Sequence, residues 1–321
     1  MELDLRDRVV VVTGAARGIG AAIAARFAEE GSRVVALDLA FPDEAAEGAP
    51  TVDQVVCDVA DPDSVHRAVE AVVERHGTID VLVNNAGIVA DSTVVETDWA
   101  TWQKCFDVNT GGTFLMCREV APHMQQAGRG RILNAASFAA IVPSVGSAAY
   151  AASKAAVVQL TRVLASELGP HDITVNAYAP GMVPTSMNGF ADLPAERQDR
   201  LLDTLSLRRW ESPDDVADLL IFLASDQASY ITGTLVDVSG GKLATQIPAV
   251  AHGRRGARRV TRGGYACGAH RRRRGLQSGP ARRERDRLCA VAVWSPRPRL
   301  GADGGVLQRD PRVHEPGVGP G

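Results

Sequence analysis

Residues 8–27 read RVVVVTGAARGIGAAIAARF, and this stretch decides the fold. Arg8–Val12 is a short β-branched run, which is typical of a buried strand. From Gly18 to Glu30, apolar residues recur at steps of four and predict one apolar face of a helix. Glycines between the two allow a tight turn and a close approach of the main chain to a pyrophosphate, whose charge a helix N-terminus favours. The stretch therefore predicts a strand, a dinucleotide-binding loop and a helix.

The alternation of strand and helix continues to about residue 241. Further strands are predicted at Arg33–Asp38, Gln54–Cys57, Ile79–Val83, Arg131–Ala135, Ile173–Ala177 and Thr234–Val238. Further helices are predicted at about 61–76, 99–126, 148–168 and 212–224. This order indicates an α/β fold, a Rossmann-like doubly wound parallel sheet of seven strands flanked by helices. We expect it to form a single domain over residues 1–242.

Charge separates the chain into two parts. The whole chain has 35 Lys and Arg against 38 Asp and Glu, a formal net charge of −3. Residues 243–321 hold 17 Arg, no Lys and 5 acidic residues, a net of +12, which leaves −15 for residues 1–242. About a quarter of 243–321 is Gly or Pro, and such a segment buries too little apolar surface to offset its ordering entropy. We therefore expect an irregular, mostly disordered Arg/Gly/Pro-rich tail over 243–321.

Two origins of this tail remain open. Arginine without lysine, together with Gly, Pro and Ala, is what a shifted reading frame of GC-rich DNA would give, and we favour this interpretation. The alternative is an arginine-rich arm that binds nucleic acid or an acidic partner. It is weakened because only Tyr265 and Trp294 could stack on bases.

The sequence does not point to a membrane or a metal. No apolar run approaches the roughly 20 residues that a membrane-spanning helix needs. The first residues mix charged with apolar side chains, unlike a signal peptide, so we expect a cytoplasmic protein. The five cysteines are widely spaced, without metal-ligand or redox spacing, so we expect reduced thiols and no bound metal.

Asp38 and Arg17 bear on the choice of cofactor. Asp38 ends the second strand, 18 residues after Gly20. A carboxylate there can accept hydrogen bonds from both hydroxyls of the adenosine ribose and would repel a 2′-phosphate. Arg17, in the glycine loop, could instead meet that phosphate. Because a fixed carboxylate at the ribose should outweigh a flexible arginine, we expect NAD rather than NADP, although a plain glycine-rich turn and a surface aspartate remain the alternatives.

Three side chains after the fifth strand suit proton transfer to an oxygen. Ser137 follows the strand, and Tyr150 and Lys154 are spaced i and i+4, so they share a helix face. A phenol with a pKa of about 10 is a poor acid–base group at neutral pH, and a nearby ammonium should lower that pKa. A serine hydroxyl can hydrogen-bond a carbonyl or alkoxide whose carbon exchanges hydride with nicotinamide. The spacing alone would also fit an ordinary exposed helix pair.

These residues belong to an ordered series of motifs, and through it the chain closely resembles the classical short-chain dehydrogenase/reductase family. The resemblance runs from about Leu5 to Gly241. Its motifs are Thr13-Gly14-x-x-x-Gly18-Ile19-Gly20, Asp58 after the third strand, Asn84-Asn85-Ala86-Gly87 after the fourth, Asn109, Ser137, Tyr150-x-x-x-Lys154, and Pro180-Gly181 with Thr185. Ala136 departs from the pattern, because the family often has a second serine there.

The resemblance implies roles for these residues. Tyr150 would be the general acid/base, Ser137 would orient the substrate, Lys154 would also bind the nicotinamide ribose, and Asn109 would hold a water in a proton relay. Asp58 would contact adenine, and residues 84–87 would line the adenine side of the cofactor site. Thr185 would bind the carboxamide of the nicotinamide. The cofactor contacts expected are Gly14, Arg17, Gly18, Ile19, Gly20, Asp38, Asp58, Val59, Asn85, Ala86, Gly87, Tyr150, Lys154, Pro180, Gly181, Val183 and Thr185.

The resemblance also places a mobile lid at about 182–209. Its Met and Phe residues, with Ala139, Ile141 and Val145 opposite, together suggest an apolar pocket, although for any one of them core packing is the favoured interpretation. The substrate expected is a small secondary alcohol or ketone, and a homotetramer or dimer is implied. One alternative is a 3-oxoacyl-thioester reductase that uses NADPH. Another is a non-catalytic nucleotide-sensing or nucleic-acid-binding protein that acts through its tail.

Overall fold

The computed structural model describes residues 3–42, 52–185 and 189–252. Seven parallel strands form one sheet in the order β3-β2-β1-β4-β5-β6-β7, with helices on both faces, so the predicted doubly wound sheet is confirmed. The strands are β1 (Val9–Thr13), β2 (Arg33–Asp38), β3 (Asp53–Val56), β4 (Val81–Asn84), β5 (Gly130–Ala135), β6 (Ile173–Pro180) and β7 (Leu235–Val238).

Two differences from the predicted helices bear on function. The helices are α1 (Gly18–Glu29), α2 (Pro62–His76), α3 (Trp99–Phe106), α4 (Gly112–Ala127), α5 (Ala148–Leu168), α6 (Ala195–Leu202) and α7 (Pro213–Ala224). The single helix predicted over 99–126 is divided by a π-helical turn at Asp107–Gly111. Such a turn inserts a residue into the helical ladder and re-aims the side chains around it. The short helix α6 lies within the predicted lid and was not foreseen.

The sheet separates two apolar cores. One contains the buried faces of α1 and α7, and the other those of α2 and α4. The central strands supply β-branched side chains to both cores, which is why β1 is buried along its whole length. The strand order changes direction between β1 and β4, and the carboxyl ends of those strands form the crevice in which such sheets bind ligands.

The chain after β7 contacts the end of the lid. The Leu243 N–H donates to the Thr204 carbonyl at 2.9 Å, and the His252 Nε2 lies 2.8 Å from the Ser206 carbonyl oxygen. Residues 243–252, the start of the expected irregular tail, therefore have defined partners. The expectation of disorder for 253–321 lies outside the described residues, as do lid residues 186–188.

The described residues all fall within one compact unit, Met1–Thr261, while the second unit, Arg262–Gly321, lies wholly outside the described ranges. Among the helices in residues 3–42, 52–185 and 189–252, none has the length and apolar character to cross a membrane.

Asp80 directly precedes β4, and its substitution tests the packing at the amino end of that strand. This side chain is 4% exposed, and its Oδ2 accepts the Val9 N–H at 2.9 Å. Its Oδ1 lies 2.9 Å from an Arg129 nitrogen and 3.8 Å from an Arg8 nitrogen. Removing this carboxylate leaves the buried Val9 N–H without its acceptor and takes a negative charge away from Arg129 and Arg8. Asp80→Ala should therefore lower the free energy of unfolding by about 3 kcal/mol in urea titrations.

The control for this variant is Asp4→Ala, which breaks an exposed ion pair with Arg6 at 3.1 Å. Exposed pairs contribute little, so this change should cost less than about 0.5 kcal/mol. Equal losses in the two variants would refute the structural role of Asp80.

Candidate active site

The loop between β1 and α1 leaves no room for side chains at its glycines. Gly14 has a φ of +65°, which side-chain-bearing residues rarely adopt. A Cβ on Gly20 would lie 2.1 Å from the Gly14 carbonyl oxygen and 2.6 Å from Nδ2 of Asn85. No side chain caps α1, so the amides of its first turn keep no side-chain partner. The loop is thus a close-fitting main-chain cradle at a helix N-terminus, as an anion requires.

Hydrogen bonds of Thr13 and Asn85 connect this cradle to the residues that follow β4. Oγ1 of Thr13 accepts the N–H groups of Asn85 and Ala86, each at 3.0 Å. Nδ2 of Asn85 donates to the carbonyls of Thr13 at 3.1 Å and Gly14 at 3.2 Å. The predicted cofactor residues Asn85 and Ala86 therefore lie directly against the glycine loop.

Asp38 is also bound to the loop. Its Oδ2 accepts the Ala16 N–H at 2.9 Å, and its Oδ1 accepts the Leu39 N–H at 2.8 Å. Each carboxylate oxygen retains a further lone pair, so ribose hydroxyls could still donate to it. Arg17 is exposed and extended at the N-cap of α1, and no ion pair or hydrogen bond of its side chain occurs in the described part of the chain.

Three other predicted cofactor residues differ in how their side chains are placed. The side chain of Ile19 packs against the core of α1 and α7. Asp58 is exposed, and its Oδ1 accepts the Ala60 N–H at 2.9 Å. Val59 is 8% exposed and lies so near α4 that a Cβ on Gly112 would come within 2.7 Å of it.

Ser137, Tyr150 and Lys154 converge beyond the carboxyl end of β5. Ser137 follows the strand directly, and its Oγ accepts the Ala139 N–H at 3.1 Å. Lys154 is 4% exposed, its Nζ donates to the Ala135 carbonyl at 2.7 Å, and this nitrogen lies 6.0 Å from the centroid of the Tyr150 ring. The strand end thus anchors the ammonium beside the phenol, and the serine hydroxyl faces the same phenol.

The expected lowering of the Tyr150 pKa by Lys154 is wrong for this structure. Burial raises the pKa of Tyr150, and the hydroxyl of Ser137, rather than the ammonium, is the group that partly offsets the rise. The reason is geometric, because Nζ lies over the ring and is held by the Ala135 carbonyl. Burial in turn lowers the pKa of Lys154 to about 8. The neutral phenol is therefore the stable form at pH 7.

Asn109 lies in the π-helical turn and is fully buried. Its Oδ1 accepts the Ile88 N–H at 2.8 Å, and its Nδ2 donates to the Ile88 carbonyl at 3.0 Å and to Oγ of Ser153 at 2.9 Å. A Cβ on Gly87 would lie 3.0 Å from Oδ1 of Asn109 and 3.3 Å from Nζ of Lys154. The side chain braces the loop after β4 against α5, and the water-holding role stays a prediction.

The remaining predicted residues lie after β6. Gly181 follows Pro180 and packs so closely on Ser239 that a Cβ would come within 2.8 Å of it. A Cβ on Gly18 would lie 3.7 Å from Cγ2 of Thr185, so the start of the lid lies beside the glycine loop. Val183 is buried at 2% exposure. The predicted site residues therefore follow the carboxyl ends of β1 to β6 or lie on the helical segments next to them.

Two residues of this region were not predicted from the sequence, and the expected apolar wall is more exposed than predicted. Ser153 accepts from Asn109 and was visible only as the residue before Lys154. Glu211 is 7% exposed and bonds to Gly181, and nothing in its local sequence indicated burial. On the expected apolar wall, Ile141 is 42% and Val145 is 100% exposed.

Known proteins similar to this chain share the fold and differ in substrate. A family model described as enoyl-(acyl carrier protein) reductase matches residues 14–242. A 3-oxoacyl-(acyl-carrier-protein) reductase of Thermotoga maritima is 40% identical over 243 residues, 74% of this chain and 98% of that protein. A D-threitol dehydrogenase of Mycolicibacterium smegmatis is 40% identical over 248 residues, 74% of this chain and 93% of that protein.

A solved structure with the same fold gives a similar result. The ligand-free aldohexose dehydrogenase of Thermoplasma acidophilum matches with a TM-score of 0.69 and 33% identity, over 76% of this chain and 97% of that one. The similarity thus spans nearly the whole of each relative.

Proposed function

The chain belongs to the short-chain dehydrogenase/reductase family and is an oxidoreductase acting on CH–OH and ketone groups, and we propose that it transfers a hydride between NAD(H) and a small secondary alcohol or its ketone, with Tyr150 as the general acid/base. The observation that carries the proposal is the convergence of Ser137, Tyr150 and Lys154 beside the glycine cradle.

The residues present fit a nicotinamide dinucleotide. The glycine cradle that a Cβ would fill suits a pyrophosphate, and Asp38 has lone pairs left for a ribose. When bound, the cofactor supplies the hydride donor or acceptor. The residues proposed to hold it are Gly14, Arg17, Gly18, Ile19, Gly20, Asp38, Asp58, Val59, Asn85, Ala86, Gly87, Tyr150, Lys154, Pro180, Gly181, Val183 and Thr185.

The chain's own groups handle the proton. The neutral phenol of Tyr150 gives its proton to the oxygen of a ketone as that oxygen becomes an alcohol, and the phenolate takes it back in the reverse direction. Ser137 Oγ donates a hydrogen bond to the same substrate oxygen and orients it. Lys154, held beside the phenol by the Ala135 carbonyl, is placed to bind the ribose of the nicotinamide half, and the hydroxyl of Ser137 is the group that lowers the pKa of Tyr150.

The preference for NAD is proposed from the placement of Asp38. Its carboxylate is fixed by two main-chain amides at the edge of the cradle, whereas Arg17 extends into solvent. A fixed negative charge at the ribose favours free hydroxyls over a 2′-phosphate. The exposed Arg17 is the feature that would favour NADP.

Asp38→Asn tests this preference. Asparagine keeps an oxygen for the Ala16 N–H and removes the charge, so the loop should stay intact. The ratio of kcat/KM for NAD+ over NADP+ should fall at least about tenfold, which corresponds to about 1.4 kcal/mol of differential binding. Steady-state kinetics with both cofactors measure it. An unchanged ratio here, together with a large change in Arg17→Gln, would show that the arginine sets the preference.

One rival substrate class has specific support. The Thermotoga maritima relative is named a 3-oxoacyl-(acyl-carrier-protein) reductase, and an NADPH-dependent activity of that kind would use Arg17 rather than Asp38. The acidic charge of residues 1–242 counts against docking of an acidic carrier. Turnover of a 3-oxoacyl thioester with NADPH that exceeds turnover of every secondary alcohol would favour the rival.

Three finer points complete the proposal. A homotetramer or dimer follows from the family resemblance, and light scattering on the purified protein tests it. A cytoplasmic location is expected from the sequence. A non-catalytic role in nucleotide sensing or nucleic-acid binding through the tail is set aside, because a protein without turnover has no chemical need for Asn109, Ser137, Tyr150 and Lys154 together.

A further inference from the structure

Glu211 is a buried carboxylate at the base of the lid, where the lid's two ends meet. Its Oε2 accepts the Gly181 N–H at 2.6 Å. Its own N–H donates to the Met182 carbonyl at 3.2 Å. Glu211 accepts one of these hydrogen bonds and donates the other. It therefore connects the start of the lid segment to the residues that follow its end.

The carboxylate supports a crowded piece of main chain. Gly181 packs against Ser239, where a Cβ would come within 2.8 Å, so the segment lies close against the residue that follows β7. Glu211 itself is 7% exposed, and its Oε1 has no hydrogen-bond partner in the described ranges. A buried carboxylate with one oxygen unsatisfied is costly.

The charged groups around Glu211 do not neutralise it. Arg209 is the nearest cation by sequence, and it is the smallest of the influences on the pKa of Glu211, which it lowers, because its guanidinium forms two hydrogen bonds to Asp215, at 2.6 and 2.7 Å. Asp215 on α7 and Asp237 on β7 repel a second negative charge, and Lys242 after β7 directs its Nζ to Sδ of Met182 at 3.2 Å. Burial is the largest cause that raises the pKa of Glu211, to about 7.

We propose that Glu211 is a positioning residue for the nicotinamide side of the cofactor site, since it fixes the main chain of Gly181 and Met182 between Pro180 and Val183. This inference rests on the proposed function of that segment as part of the cofactor site. A hydrogen bond to an ionised acceptor is stronger than one to a neutral acceptor. The ionised form therefore holds the segment in place, and protonation loosens it, so cofactor affinity should rise as the pH passes upward through about 7.

Glu211→Gln separates positioning from folding. Glutamine keeps an oxygen for the Gly181 N–H but neither carries the charge nor titrates. Because folding raises the pKa of Glu211, its burial in the ionised form costs stability above pH 7, and this cost is absent below the unfolded-state value. The variant should therefore melt at the same or a higher temperature than the wild type above pH 7, while binding the cofactor less tightly.

The experiment is a fluorescence titration of the full-length protein with NAD+, below and above pH 7. In the wild type, Kd should be roughly fivefold lower above pH 7 than below it, as expected when a charge-assisted hydrogen bond replaces a neutral one. In Glu211→Gln, Kd should match the low-pH wild-type value at both pH values. Lys154, whose pKa burial lowers to about 8, is present in both proteins, so pH dependence that remains in Glu211→Gln is assigned to Lys154 and the part that disappears is assigned to Glu211. At saturating cofactor, kcat should change less than about twofold.

Four outcomes would overturn the proposal. The variant could keep the wild-type Kd and pH profile, in which case Glu211 does not position the segment. It could lose affinity and melting temperature in parallel, in which case its role is structural. Finally, a wild-type protein that binds no nicotinamide cofactor at any pH would remove the proposed function and this inference together, whereas tight but pH-independent binding would remove only the inference.

Discussion

Tyr150→Phe is expected to lower kcat/KM by roughly 10²–10⁴-fold, the usual contribution of a general acid/base, while the protein still binds the cofactor. The change removes one oxygen and leaves the ring in its apolar contacts beside Ala149 and Trp102, so the fold around it should persist. Initial rates and a cofactor titration on the same preparation measure the two effects.

The matched control for this variant is Tyr230→Phe. Tyr230 is fully exposed and lies outside the site, so its rates should equal those of the wild type. A Tyr150→Phe protein that retains more than about a tenth of wild-type kcat/KM would show that another group moves the proton.

Gly20→Ala is expected to raise the Kd for the cofactor by at least about tenfold and to lower the free energy of unfolding by about 1–3 kcal/mol, the usual cost of overpacking. The new methyl would lie 2.1 Å from the Gly14 carbonyl oxygen. Neither the Cβ nor the carbonyl oxygen can move away unless the main chain itself shifts. Relief requires the loop to open, which displaces the amides proposed to hold the pyrophosphate. Urea unfolding and cofactor titration measure the two losses.

Gly169→Ala serves as the control for this glycine. Gly169 has a φ of −53° at the end of α5, and a Cβ there would have no atom within 4 Å. This change should leave cofactor affinity unaltered and stability the same or slightly higher. Wild-type affinity in Gly20→Ala would contradict the assignment of the loop as the pyrophosphate cradle.

The strands could be predicted to within about three residues because their signals are local. β1 is a run of β-branched residues followed by the glycine loop, and β2 is a run of aliphatic residues that ends at an aspartate. The structure places them at Val9–Thr13 and Arg33–Asp38. The π-helical turn at Asp107–Gly111 could not be predicted in this way. One inserted residue leaves the apolar pattern on either side nearly unchanged, and only the packed structure shows that Asn109 turns inward.

The site residues were easier to predict than their electrostatics. The positions of Ser137, Tyr150 and Lys154 follow from spacing on a strand and a helix, whereas their pKa values depend on burial and on the direction of Nζ. Glu211 was not foreseen for the same reason. Its burial arises where β6, β7 and the start of α7 meet, and no sequence window spans those three elements.

The most direct test of the central claim follows the nicotinamide absorbance of the purified protein. NAD+ and NADP+ are offered separately with secondary alcohols, polyols, aldoses and hydroxyacids, and the reduced cofactors are offered with ketones and a 3-oxoacyl thioester. We predict reduction of NAD+ by at least one secondary alcohol, faster than with NADP+, and loss of that signal in Tyr150→Phe. Turnover that persists in Tyr150→Phe, or turnover with NADP+ alone, would contradict the account.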